Sequence, residues 1–221
     1  MAELRTEEEQ LQALKGWWQE NGKSLVLGVG LAVALVLGWQ GWQARQEQQA
    51  ATASALYQNL TEAIRLQQAS GAADEGQAAT ARHLAEQLKT DFTKASYARY
   101  AALMLAAVEV KQGEYDAALA ELDWLLADAE NTDSLVRVAT LRKAAVLQQQ
   151  GKADQGVTLL EALDAGSYEA EKQELLGDLY LSQGKPVEAR QAYDAALVAA
   201  GGESNRPLIK IKRDDLAGVN S

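Results

Sequence analysis

Between Lys23 and Arg45 the chain runs for 21 residues without a charge, SLVLGVGLAVALVLGWQGWQA, and elsewhere its apolar residues recur at intervals of three and four. The two patterns predict two kinds of helix. The uncharged run is close to the roughly 20 residues that cross about 30 Å of hydrocarbon. Nine of its residues are Leu or Val (Leu25, Val26, Leu27, Val29, Leu31, Val33, Leu35, Val36, Leu37). Together they favour insertion by roughly 3 to 5 kcal/mol, with no central charge opposing it. The segment is read as a transmembrane helix over 24–44, in contact with a lipid bilayer. A buried core helix and a cleaved signal peptide are the competing readings. The run exceeds the roughly 7 to 15 apolar residues of a signal sequence, and Trp39, Gln40 and Trp42 stand where small cleavage-site residues belong.

Aromatic residues flank the run. Trp17 and Trp18 precede it and Trp39 and Trp42 close it, which predicts interface anchors at both membrane surfaces. Arg5, Lys15 and Lys23 lie before the span, against Arg45 and the more distant Arg65 after it. That balance places the N-terminus inside: residues 1–23 form a cytoplasmic tail and residues 45–221 lie on the far side. In the tail, Thr6 and Glu9 fit a capping box, and Leu11, Leu14, Trp17 and Trp18 share helical spacing. An interfacial helix is expected there, ended by the Asn21-Gly22 pair, with a disordered tail as the alternative. Gly30, Ala34 and Gly38 line one face of the span at four-residue intervals, an arrangement that lets a second helix pack closely.

Past the span, no Gly or Pro occurs from Ala44 to Ser70, so the helix is expected to continue to about Gln68. A loop with Gly71, Asp74 and Gly76 follows, then a helix over Gln77–Lys89 with Leu84 and Leu88 on one face. Next the chain repeats itself. KQGEYDAALAELDWLL from Lys111, QQGKADQGVTLLEAL from Gln149 and SQGKPVEARQAYDAAL from Ser182 each read as a helix end, a Gly turn and an amphipathic helix. The turn residues Gly113, Gly151 and Gly184 are 38 and 33 positions apart.

A helix-turn-helix period near 34 resembles tetratricopeptide repeats. The last unit fits best, with Leu176, Gly177, Tyr180, Gly184, Ala189, Tyr193 and Ala196 in the Leu, Gly, Tyr, turn-Gly, Ala, aromatic and Ala positions. Close packing explains the pattern: Gly177 and Ala189 are expected where the two helices cross, with Tyr180 and Tyr193 filling space toward the neighbouring repeat. The Gly113 unit keeps Ala106, Tyr115 and Ala118 but has Glu109 in the helix-A aromatic position. The Gly151 unit has Gly156 where the helix-B Ala belongs. From Asn205, Pro207 and the apolar Leu208, Ile209, Ile211 and Leu216 suggest a capping helix, with Lys210, Lys212 and Arg213 on a solvated face. The expected fold is all-α: an N-terminal transmembrane helix followed by a tetratricopeptide-repeat-like α-solenoid of helical hairpins.

Composition agrees and removes most chemistry. Ala, Leu and Gln supply 42, 32 and 21 residues, against two Pro and no Cys. No disulfide, thiolate nucleophile or Cys-based zinc site is available. His83 is the one histidine and has no nameable partner, which leaves a Ser-His-Asp triad and a three-His metal site without their imidazoles. The Asp74-Glu75 and Asp214-Asp215 pairs lack the surroundings of an acid/base dyad. Gly28-Val29-Gly30 has neither the preceding strand nor the third glycine of a dinucleotide loop. The chain therefore reads as a non-enzyme with no cofactor and no metal. A net charge of −10 disfavours nucleic acid as a partner.

Together, ENGKSLVLGVGLAVALVLGWQGWQ over Glu20–Gln43, the degenerate repeats, GDLYLSQGK and the IKIKRDDLAG ending resemble the YfgM-type family, ancillary translocon subunits of Gram-negative bacteria. The resemblance covers essentially the whole chain. It implies a single-pass inner-membrane protein with a periplasmic repeat domain, associated with the SecYEG translocon and the periplasmic chaperone PpiD, which helps pass newly translocated polypeptides to periplasmic chaperones. It also implies a link to envelope stress regulation. From the residues alone the reading is an anchored interaction protein, with a self-assembling envelope or division scaffold and a stress-regulator-binding protein as alternatives.

Overall fold

The computed structural model describes residues 2–70, 75–127 and 132–216, all in helices and their connections, with no strand among them. The chain divides into two units, residues 1–52 and 53–221. Helix α1, Ala2–Ser70, begins in the first and ends in the second.

In the first unit α1 is unbroken across the uncharged run. The expected interruption at Asn21-Gly22 does not occur. The Asn21 amide donates to the Trp17 carbonyl at 3.1 Å, and Gly22 lies against the Trp18 indole, so a break signal is absorbed on the helix surface. The helix starts at Ala2, which puts Thr6 and Glu9 inside it and not at a cap. The side chain of Thr6, like the structure of Gly71 and Asp74 in the expected loop, lies outside the described residues.

The second unit is built from the end of α1 and eight further helices: α2 (Glu75–Asp91), α3 (Ser96–Gln112), α4 (Tyr115–Leu126), α5 (Asp133–Gln149), α6 (Ala153–Glu161), α7 (Glu169–Ser182), α8 (Pro186–Ala199) and α9 (Pro207–Asp214). Gly76, expected in a loop, sits in the first turn of α2. From α2 to α9 each helix packs on its successor, the nearest-neighbour arrangement of a repeat array. Three hairpins, α3/α4, α5/α6 and α7/α8, turn at Gly113, Gly151 and Gly184, with φ of 79°, 73° and 71°. Each closes with the same pair of backbone bonds, for example Lys185 N–H to the Tyr180 carbonyl and Gly184 N–H to the Leu181 carbonyl. This is a Schellman cap, whose left-handed residue favours glycine because a Cβ is strained there.

The core runs along the array as successive clusters. Ala53, Leu60, Ala63 and Ile64 of α1 join Ala81, Ala85 and Leu88 of α2 and Ala98, Ala101 and Leu105 of α3. Thus the end of α1 is a working helix of the repeat domain. The following clusters are dominated by Ala and Leu of α3–α5 and then of α5–α8. Ala brings helix backbones close at little entropic cost, which is why it crowds these crossings. At the C-terminal end Ile209 of α9 and Leu216 are buried against Ala189, Tyr193, Ala196 and Leu197 of α8. Pro207 opens α9 at its first turn, where a missing N–H costs nothing. Leu208 and Ile211, grouped with these in the sequence reading, are exposed.

Candidate membrane segment and repeat-packing site

In α1, the apolar stretch that contains 24–44 is the one segment among the described residues long and apolar enough to cross a membrane, with a mean hydropathy of 1.8 and none of that window buried. Trp17, Trp18, Trp39 and Trp42 are exposed, and the Trp39 and Trp42 rings lie 5.2 Å apart. Gly30, Ala34 and Gly38 are exposed on one face, and a Cβ added at Gly30 or Gly38 meets nothing within 4 Å. The fifth tryptophan, Trp124, is half-buried between the first two core clusters, with the Lys89 ammonium 5.4 Å from its ring centre.

The seven signature residues of the last hairpin lie on α7, its turn and α8. Leu176 joins the core shared with α5 and α6, while Ala189, Tyr193 and Ala196 form the floor under α9. Gly177 faces the Tyr193 ring so closely that a Cβ would stand 2.6 Å from Tyr193 Cδ1. Tyr193 is completely buried, and its hydroxyl donates to Asp178 Oδ1 at 2.7 Å. Burial first, and then the hydrogen bond to that carboxylate, push its phenol well above the usual tyrosine value. Tyr193 therefore fills its own hairpin and faces α9, not the preceding repeat. Tyr180 does reach the preceding repeat, donating to Glu161 of α6 at 3.0 Å.

Both departures from the repeat pattern have a structural reason. Glu109, in an aromatic position, is buried and accepts two hydrogen bonds from Arg82 of α2, at 2.6 and 2.7 Å. A charge-assisted fork replaces ring packing between α2 and α3. Gly156 lies against Leu179 of α7 and the Ala144 carbonyl of α5, and a Cβ there would be 3.0 Å from Leu179. The missing methyl makes room for a larger side chain from the next repeat.

Lys212 and Arg213 are not a solvated face. The Lys212 ammonium bonds Glu174 at 3.0 Å and Asp178 at 2.8 Å on α7, and lies 5.7 Å from the Tyr193 ring centre. Arg213 pairs with Glu203, Asp194 and Asp214, and Lys210 with Glu203. The Lys212 pairing leaves no mark in the sequence, because its acids Glu174 and Asp178 belong to α7, more than thirty residues earlier. His83 is exposed on α2, and no group of acidic or histidine side chains suited to a metal occurs among the described residues.

A family model described as a tetratricopeptide repeat-like domain matches residues 15–218. An ancillary SecYEG translocon subunit of Haemophilus influenzae is 30% identical over 98% of this chain and 100% of its own length. Proteins of the same name from Escherichia coli and Neisseria gonorrhoeae are 31% and 30% identical, over 96% and 98% of this chain and 97% and 100% of their own. The chain belongs to the ancillary SecYEG translocon subunit family. The family model begins before the uncharged run and ends after α9, so its match takes in both the apolar segment and the repeat array. In this chain Gly113, Gly151 and Gly184 are turn residues, and Glu109 and Gly156 answer the packing of the neighbouring helices.

Proposed function

We propose that this protein is an ancillary subunit of the SecYEG translocon that works by binding other proteins. Residues 24–44 anchor it once in the inner membrane, with the N-terminus in the cytoplasm and residues 45–221 in the periplasm. There it works with the chaperone PpiD to pass translocated polypeptides to periplasmic chaperones. The observation that carries the reading is near-full-length similarity to proteins named as ancillary translocon subunits, in a chain whose apolar segment is bare of protein contacts.

The parts support one another physically. Trp17, Trp18, Trp39 and Trp42 suit the two membrane interfaces, and the Gly30, Ala34, Gly38 face admits a neighbouring helix. Stacked hairpins offer a long surface to a partner or an emerging chain. Anchoring beside the translocon raises the effective concentration of that surface, so modest affinity suffices.

Affinity purification in mild detergent, with the intact chain and with one lacking residues 1–44, tests the proposal. Translocon and PpiD subunits are expected with the intact chain and reduced without its anchor. Their absence from the intact sample would defeat the reading.

A further inference from the structure

Most cations of the repeat domain are committed to acids. Arg82 pairs with Glu109, Lys89 with Glu121, Lys143 with Asp123 and Lys212 with Asp178. Arg142, the immediate neighbour of Lys143, is not. Its one hydrogen bond goes to the Leu103 carbonyl at 3.1 Å, and no carboxylate pairs with it among the described residues. Surrounding protein lowers its pKa by desolvation, with no acid to offset the loss. Lys111, at the end of α3, also has no acid partner among those residues.

Arg142 and Lys111 border one groove of about 420 Å³ between α3, α4 and α5. Its lining is otherwise aliphatic, with Val110, Leu122 and Ala145, and ends at the exposed amide of Gln149. The volume lies within the roughly 300–1,000 Å³ of ligand pockets, where an apolar lining holds a few placed polar groups. In a chain of net charge −10, Arg142 and Lys111 bring two cations without an acid partner among the described residues to one aliphatic groove.

We propose that this groove binds an acidic–aliphatic peptide segment of a partner protein, Arg142 and Lys111 receiving a Glu or Asp side chain while Ala107, Val110 and Ala145 cover its aliphatic neighbour. The guanidinium keeps N–H donors beyond the one given to Leu103, enough for a carboxylate fork. The chain's overall negative charge repels a polyanion such as nucleic acid, whereas a single carboxylate is governed by the two cations nearest to it. The inference deepens the interaction role proposed above and rests on it.

The test uses the full chain in nonionic detergent and fluorescence anisotropy. The probe is a fluorescein-labelled, C-terminally amidated peptide, Gly-Leu-Glu-Leu-Val-Gly, compared with its twin carrying Gln in place of Glu. Saturable binding is expected, weaker by about tenfold or more for the Gln twin, since a charge-assisted hydrogen bond is lost. Arg142→Gln should weaken the Glu peptide to a similar degree and Lys111→Gln by less. Ala145→Trp should abolish binding by filling the groove, and Arg190→Gln on α8 should leave it unchanged. Circular dichroism melting checks each variant, and exposed Lys111 keeps the test open if a change at Arg142 unfolds the domain. No saturable binding, equal affinity for the two peptides, or indifference to both Arg142→Gln and Ala145→Trp in folded protein overturns the proposal. Failure here with translocon co-purification intact leaves the adaptor reading standing. Peptide binding without co-purification refutes that reading and keeps the groove.

Discussion

Gly177 and Tyr193 are matched to each other across the last hairpin: the absent side chain on α7 is the space the α8 ring occupies, and Asp178, one residue on, accepts the hydroxyl of that ring. Helix propensity favours Ala over Gly by about 1 kcal/mol. Packing opposes it, because a Cβ would meet the ring and not a flexible chain end. Gly177→Ala is expected to destabilise by about 1–3 kcal/mol. In a Tyr193→Leu background the same change should be neutral or stabilising. Thermal unfolding of the four proteins measures it, and equal effects in both backgrounds would refute the pairing.

The Arg82–Glu109 pair is unequal, with side-chain exposures of 44% and 3%. Arg82→Ala strands a buried carboxylate and should cost about 1–3 kcal/mol, less than for a fully buried pair because the Arg82 head is partly screened by water. Glu109→Leu frees an Arg that water can solvate and restores an apolar residue to an apolar slot, so its cost should be near zero. Urea titration ranks them. A larger loss from Glu109→Leu would show that the fork itself holds α2 to α3.

Tyr193 predicts an alkaline limb. Its folded pKa is raised above the ordinary 10.0 by burial and by Asp178. Below pH 10 both states keep the proton, and the contribution is whole. Above pH 10 the unfolded chain releases the proton first, so stability falls by up to about 1.4 kcal/mol per pH unit. Tyr193→Phe should flatten that fall. Denaturation midpoints between pH 9 and 11, in about that window, compare the two, and parallel slopes would exclude Tyr193 as the cause.

Helix α9 is held by Ile209 and Leu216 beneath and by Lys212 and Arg213 at its edge. Partly exposed pairs are screened once the Debye length shrinks to about 3 Å near 1 M salt. Hydrogen exchange in α9 should speed up at high salt while α7 stays protected, and Lys212→Met should mimic the salt effect. Equal change in both helices would mean that the cap does not open separately.

Topology is testable because the chain has no Cys. Ala79 on α2 is exposed, which makes Ala79→Cys a suitable reporter. Labelling by an impermeant maleimide is expected in cells whose outer membrane alone is opened. Reaction only after lysis would reverse the orientation.

Much of the repeat domain is legible in residue type and spacing alone. Gly113, Gly151 and Gly184 announced their turns because a left-handed cap favours glycine, and a local rule of that kind is written in one residue. Glu109 and Gly156 were legible only as anomalies. The Arg82 that explains Glu109 lies 27 positions away on another helix, and no pattern within either helix joins them. Asn21-Gly22 misled for the opposite reason. A break signal is a bias of about 1 kcal/mol for its Gly, and the neighbouring helix surface absorbed it.

The sequence by itself determined the class of each helix, the uncharged run, the hairpin turns and the exclusion of thiol and multi-histidine chemistry. These follow from residue type and periodicity, which act within a few positions of the chain. Tertiary structure decided which charges are spoken for: Lys212 and Arg213 bound into the cap, Glu109 forked by Arg82, and Arg142 left with a carbonyl beside an apolar groove. Charge pairing depends on distance in space, and in a stack of hairpins the nearest acid is commonly twenty to forty residues away along the chain.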